Sequence, residues 1–368
     1  MKVALFLAFL TVSPFLALGV ANPLAAFSDP GHLWGNGIER VIEEFFRENF
    51  RTKIIGGRVM NVRMPFAMNH ERDMLSGTSW TQVGDGKASP QVLWPIIEDI
   101  LATEDFQEFV RVLSSGREKV IIFDLATQTW SSTTDIFYVA GMRAGFYRGL
   151  PHRPHVLVSG RGILESDVYN YLYSIGRVGI DCSGFVWHAL AHIGRQGGIN
   201  LGNILRPYMG LASGVDPALF AGTAFFNSNN RQIMPVEDSI RNLRPADVML
   251  FRGQNGDMAH AALIQSIDFE RGIIRYIQST DEAPQQERGV HDSFIYFDPA
   301  NPDISLRDPS LVWSKQRFSP FVGERDSPFA DDGERFRAFD DLGGSRVVRL
   351  RTLIPVIAAI NSRAAAGF

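Results

Sequence analysis

The chain has one cysteine, and it stands in Gly179-Ile180-Asp181-Cys182-Ser183-Gly184-Phe185-Val186, a polar turn running straight into an apolar pattern. Phe185, Val186, Ala189, Leu190 and Ile193 recur at helical spacing, and Gly194 supplies a stop, so the turn belongs at the N-terminus of a buried helix. There the first amides lack intrahelical acceptors and the helix end is partly positive, which stabilises a thiolate. Asp181 or Ser183 is placed to cap the turn, and Gly184 lets another backbone approach closely. A cysteine with only a packing role belongs inside the apolar stripe, whereas this one precedes it. With no second cysteine, no intrachain disulfide competes for the thiol. Cys182 is the candidate nucleophile.

A thiol nucleophile needs a base, and histidine is the usual one near neutral pH. Of the eight histidines, His188 and His192 share the helix but lie about 9 and 15 Å further along its axis. They also lack the intervening glutamate of a zinc-protease helix, and read as helix-face residues. His32 and His70 fall in the first region, and His152 and His155 in a Pro/His-rich boundary. His260 opens the strand-like run Ala261-Ala262-Leu263-Ile264 just after the loop Gly253-Gln254-Asn255-Gly256-Asp257. A hairpin turning about Phe269 sets Gln278 opposite His260 on one face, and a one-residue slip sets Ser279 there instead. A glutamine in that place accepts from one ring nitrogen, fixes the tautomer and leaves the other nitrogen to the thiol. His291 is the reserve for base or orienter.

One helix followed by strand-like runs at 247–251, 260–267 and 271–279 is an α+β pattern. The Gly-, Asn- and Pro-rich stretch 195–240 reads as an irregular insertion. Ahead of the boundary near 150, residues 22–150 hold a helix pattern at 38–46, a second over 93–113 and a short buried strand at 119–125. No motif there carries chemistry. This gives a catalytic domain over 155–300, or as far as 355 where 346–353 returns as a final strand, and a C-terminal extension over 301–368.

The formal charge is −4, from 36 basic and 40 acidic residues, with no basic block, which argues against a nucleic-acid partner. Lys2, a short apolar run and the small residues Gly19-Val20-Ala21 make a secretory signal peptide over 1–21. Its removal takes away one lysine and leaves −5, on a chain with no other stretch able to span a membrane. No motif implies a metal or an organic cofactor.

The segment from Gly179 to Val186 resembles the nucleophile motif of the NlpC/P60 cysteine peptidases. Leu243-Arg244-Pro245-Ala246-Asp247-Val248-Met249-Leu250-Phe251 resembles that family's strand-entry motif, with Ala246 where glycine is usual. Ala259-His260-Ala261-Ala262-Leu263-Ile264 resembles its catalytic-histidine strand, and Ile277-Gln278-Ser279 falls where a third polar residue, most often histidine, is expected. The resemblance covers about 160–300. It implies a papain-like α+β fold with the nucleophile helix packed on an antiparallel sheet. The implied activity is hydrolysis of peptide bonds in bacterial cell-wall (peptidoglycan) stem peptides, outside the cytoplasm, in the periplasm or extracellularly at the wall.

By the same resemblance Cys182 attacks the carbonyl, His260 serves as base and then acid, and Gln278 orients His260. The Cys182 amide and an upstream tyrosine would stabilise the oxyanion, with Asp181 and Ser183 beside the substrate. Tyr171, within Tyr169-Asn170-Tyr171-Leu172-Tyr173, is the chosen tyrosine. Cys182 and His260 are 78 positions apart, wider than the family's common spacing, because of the stretch at 195–240. The same Cys-His pair would also suit an amidase or acyltransferase acting on a non-peptide substrate, and an inactive wall-binding module is the remaining alternative.

Overall fold

The structure, a computed structural model, describes residues 37–67, 86–114, 120–124, 129–133, 155–158, 163–176, 178–280, 282–283, 288–315 and 329–366. The expected signal peptide lies outside them. Helix α1 (Ile38–Arg47) buries Ile38, Val41, Ile42, Phe45 and Phe46, the stripe of an amphipathic helix. Strands β1 (Phe50–Ile55) and β2 (Arg58–Arg63) follow as a hairpin. Its two-residue turn, Gly56-Gly57, has positive φ at both positions, as a primed turn demands.

The single helix pattern expected over 93–113 is two helices, α2 (Pro90–Ala102) and α3 (Glu104–Ser114). Thr103 breaks the run with an extended backbone (ψ 151°), and its hydroxyl accepts from the amide of Phe106 at 3.2 Å. Apolar spacing passes through such a cap unchanged, which is why periodicity alone merges the two. Strands β3 (Val120–Asp124), β4 (Thr129–Thr133) and β5 (His155–Val158) form a three-stranded sheet, so the strand expected at 119–125 is present.

The remaining elements build the main sheet. They are α4 (Glu165–Tyr171), α5 (Cys182–Gln196), α6 (Leu201–Leu205), α7 (Thr223–Phe226), β6 (Ile233–Val236), β7 (Val248–Arg252), β8 (Met258–Asp268), β9 (Ile273–Thr280), β10 (Gly289–Tyr296), β11 (Val312–Trp313), α8 (Asp332–Arg337), β12 (Arg346–Leu350) and α9 (Ile354–Ala365). Seven strands run antiparallel in the order β11-β10-β9-β8-β7-β12-β6. This is an α+β fold.

Alternate residues of the central strands enter two cores. Val248, Leu250, Ala261, Leu263 and Ile277 join α1 and α5 in one. Met249, Phe251, Ala262, Ile264 and Tyr276 join Trp313 and Phe336 in the other. Because both faces are covered, all five residues of β7 are buried, and its first four read as an unbroken apolar run despite the antiparallel pairing.

Two expected boundaries dissolve in this packing. The one near 150 falls among residues outside the described set, yet α1, β1, β2, α2 and α3 contribute to the same core as α5 and the sheet. Arg275 in β9 reinforces the union by pairing at 2.7 Å with Glu43 of α1, both buried. At the other end, the final strand expected over 346–353 is β12. It lies between β7 and β6, so this part of the C-terminal extension is an inner strand of the sheet. The stretch 195–240 holds α6, α7 and several short 3-10 turns, and ends in the edge strand β6.

Ala246, standing where the resembling family has glycine, has φ 75°. That left-handed backbone costs an L-residue about 1 kcal/mol, and burial of its methyl group in the first core offsets the strain. The two ends of the described chain also meet. Gly37 has no side chain to cap α1, and Asn361 of α9 supplies the missing acceptor, taking the Ile38 amide at 2.9 Å. Asn361→Ala should lower stability by about 1 kcal/mol, measured as a fall in the urea midpoint at unchanged slope.

Candidate active site

The turn that carries the candidate nucleophile folds as its residues demand. Asp181 is the N-cap of α5 and its carboxylate accepts the Gly184 amide at 2.5 Å, so Cys182 is the first helical residue. A second chain segment closes over this turn. The Gly86 carbonyl accepts the Asp181 amide at 2.8 Å, and the Lys87 carbonyl accepts from His188 Nε2 at 2.8 Å. Lys87 Nζ reaches Asp181 at 2.9 Å and the Ser183 hydroxyl at 2.5 Å. A Cβ at 184 would run into the Gly86 carbonyl oxygen, so the close backbone approach expected at Gly184 is made by Gly86.

Asp181 and Ser183 are therefore occupied inside the protein, as cap and as partners of a buried lysine, rather than turned toward a substrate. Burial raises the Asp181 carboxyl above its usual range, while the Lys87 ammonium, the Gly184 amide and the Ser183 hydroxyl pull it back. Lys87 is the residue the sequence reading missed, because Gly84-Asp85-Gly86-Lys87 looks like an ordinary polar loop.

Cys182 is 9% exposed, and the backbone amide of Ala261, the residue after His260, lies near enough to its sulfur to favour the thiolate. Burial pushes the thiol up to about 11, with the Asp181 charge adding to the rise and Lys87 opposing it. The expected lowering at a helix N-terminus is thus outweighed. Desolvation of a nearly closed site exceeds the partial charge of one helix end.

His260 and Gln278 are brought into direct contact. His260 Nε2 donates to Gln278 Oε1 at 2.7 Å, and the imidazole rests against Phe251 with ring centroids 5.3 Å apart. The register behind this differs from the expected one. The loop is Phe269-Glu270-Arg271-Gly272, Asp268 pairs with Ile273, and a bulge lies between Ile264 and Ser266. Leu263 pairs with Ile277, so the pairing is displaced by two residues; an even shift keeps His260 and Gln278 on one face as diagonal neighbours. Ser279, the alternative at a one-residue slip, faces away and donates to the Ile180 carbonyl at 2.7 Å. With Nε2 engaged, Nδ1 is the His260 nitrogen left to exchange a proton. Burial, aided by the Arg335 charge, holds the imidazole well below its usual value and hence neutral.

His291, the reserve candidate, lies across from Gln278 in β10. Its Nδ1 donates to the Gly289 carbonyl at 3.0 Å, so its Nε2 accepts from Gln278 Nε2 at 3.2 Å. It thus orients Gln278 rather than His260. The same Gln278 nitrogen reaches Ser293 Oγ at 2.9 Å and Asp332 Oδ2 at 3.2 Å. Asp332 comes from α8, in the C-terminal extension. Short polar runs there carry no motif, and no local signal could have placed Asp332 beneath the glutamine.

Tyr171 requires correction. Its buried ring packs on Phe106 and Phe109, at 5.0 and 4.9 Å between centroids, and its hydroxyl bonds to Thr103. It is held at the junction of α2 and α3 rather than at the nucleophile turn. His192 packs on Phe45 and lies 3.7 Å from Glu48, while His188 binds the Lys87 carbonyl, so each has a structural partner. Among the described residues no group of three or more His, Cys, Asp or Glu side chains could hold a metal ion. No helix among them is long and apolar enough to cross a membrane.

Compared with known proteins, the chain matches no family model, no curated protein and no solved structure.

The buried histidines give a pH prediction. His291 titrates at about 4, lowered by burial and by Arg63. Unfolding exposes it to its ordinary value near 6.5, so the unfolded chain binds the extra proton first. Its neutral burial is therefore fully tolerated above pH 6.5 and destabilises the fold as pH falls toward 4, by about 3 kcal/mol in all. Relative to His291→Asn, the wild type should lose about that much stability between pH 7 and 4, read by urea unfolding at each pH.

Proposed function

We propose that this chain is an exported thiol peptidase that hydrolyses peptide bonds in bacterial cell-wall stem peptides, with Cys182 as nucleophile, His260 as base and Gln278 as orienter. One observation carries the reading. A glutamine oxygen holds His260 as the Nε2–H tautomer at 2.7 Å, and the strand bearing that histidine supplies the amide against which a helix-terminal thiol rests. A packing cysteine needs neither a tautomer-locked imidazole nor a place at a helix start. The peptidic wall substrate and the export rest on the family resemblance of the motifs around Cys182, His260 and Gln278 and on the apolar N-terminus.

The resting pair is a neutral thiol and a neutral imidazole, so the nucleophile is made during the reaction. His260 Nδ1 takes the thiol proton as Sγ attacks the substrate carbonyl carbon. The oxygen that becomes negative faces the N-terminus of α5, where the Cys182 amide has no intrahelical acceptor. Collapse of the intermediate breaks the C–N bond, and His260 returns its proton to the leaving amine. Water then hydrolyses the thioester by the same route, with His260 again as base. Gln278 keeps Nδ1 as the working nitrogen throughout.

Digestion of purified muropeptides, followed by mass spectrometry, tests this. The wild type should release new stem-peptide fragments and Cys182→Ala none. Gln278→Leu should lower kcat by about 10- to 100-fold with little change in KM, the loss expected of a group that aligns general acid-base catalysis. If wild type and Cys182→Ala leave identical muropeptide profiles, the proposal fails.

A further inference from the structure

Gln278 can do its work only if its amide sits one way round, and the contacts that decide this lie behind it. Among the described residues its oxygen has a single partner, His260 Nε2. Its nitrogen faces the His291 Nε2 lone pair, the Ser293 hydroxyl and Asp332 Oδ2. Asp332 Oδ2 also accepts from the Tyr276 hydroxyl at 2.5 Å. Gln278 and Ser293 are buried, Tyr276 is fully so, and Asp332 is 1% exposed. This enclosed carboxylate accepts from the Tyr276 hydroxyl and from the amide that orients His260.

We propose that Asp332 is a positioning residue for this site, setting the sense of the Gln278 amide and, through it, which nitrogen of His260 carries the proton. The inference rests on the nucleophile–base reading of Cys182 and His260. Turning the amide over would put its oxygen against the Asp332 carboxylate and the His291 lone pair. Its NH2 would then face His260 Nε2, which would have to accept, moving the imidazole hydrogen to Nδ1. That tautomer cannot receive the thiol proton. A negative charge at Asp332 penalises the reversed state, whereas a neutral carboxylic acid, able to donate as well as accept, does so far less.

The charge on Asp332 is itself adjustable. Burial raises the carboxyl to about 6, while the Tyr276 hydroxyl, the Arg335 charge and Gln278 favour the ionised form and Glu282 opposes it. Tyr276 and Gln278 come from β9, His291 and Ser293 from β10, Arg335 from α8 itself, Glu282 from the turn after β9, and His260 of β8 acts through Gln278, while β7 and β11 also pack on α8. Arg335 is already paired with Glu282. Burial holds the His260 imidazole well below its ordinary value and lowers His291 to about 4. Asp332 is the group in this cluster that changes charge near pH 6. Tyr276 stays a donor throughout, because burial and the Asp332 charge push its hydroxyl well above its ordinary value.

The test reads the tautomer itself, without a substrate. In protein labelled with 15N-histidine, long-range 1H–15N correlation spectra report which nitrogen of each ring is protonated. In the wild type at pH 7.5, His260 should be wholly Nε2–H, and a change in its signals should set in near pH 6 on acidification. Asp332→Asn should mix the two forms at pH 7.5 and abolish the pH response. Tyr276→Phe leaves the carboxylate in place but removes its steadying donor, so the midpoint should move to higher pH; this variant decides the matter if Asp332→Asn does not fold. A folded Asp332→Asn with wild-type His260 signals from pH 5 to 8 overturns the proposal, as does a Tyr276→Phe midpoint that stays put. If muropeptides are untouched while the tautomer responds as stated, the peptidase reading falls and the positioning role stands. If muropeptides are cut and the tautomer is indifferent to Asp332, the reverse holds.

Discussion

The Asp181 carboxylate is the interaction on which the site depends. It satisfies the amide of Gly184 at the start of α5, and it draws Lys87 out of solvent from a segment 94 residues earlier in the chain. Without a cap, the first turn of α5 would fray and Cys182 would lose its fixed place. Without Lys87, a buried carboxylate would stand beside the thiol with no opposing charge, and isolated buried charges are costly. The cap, the ion pair and the crossing of Gly86 over Gly184 therefore form one unit. The N-terminal region supplies half of it.

The sheet supplies the rest because it is covered on both faces. Helices α1 and α5 fill one side, and α8 with β11 and the neighbouring loops fills the other. A one-sided sheet would leave Gln278 in water, where solvent would satisfy its amide either way round. Buried, the amide must find its partners in the protein, and Asp332, His291 and Ser293 then discriminate between its two orientations. The same enclosure explains why the thiol is raised rather than lowered. Covering a site strengthens the hydrogen bonds that order it and, at the same time, disfavours resting charge within it.

Much of the site was legible because its groups lie in short, strongly patterned segments. The capped turn into an apolar stripe marked Cys182, and a polar residue opening an apolar strand marked His260. Gln278 was found on the correct face from a register two residues off, since the period of a strand is two. Tyr171 was misassigned because three tyrosines within five residues give no local reason to prefer one, and only the packing of Phe106 and Phe109 decides. Helix α2 was joined to α3 because a threonine cap leaves the apolar spacing intact.

The sequence by itself determined which segments become helix or strand around the thiol, that the overall class is α+β, and which residues could serve as nucleophile, base and orienter. These are local properties, written in periodicity, capping residues and turn glycines. Only the tertiary structure decided what stands behind them. Lys87 beneath the cap, Asp332 beneath the glutamine and β12 inside the sheet are contacts across 94, 54 and roughly 100 residues. Pairings of that reach are set by how two buried faces of one sheet are filled, and no short stretch of residues carries that information.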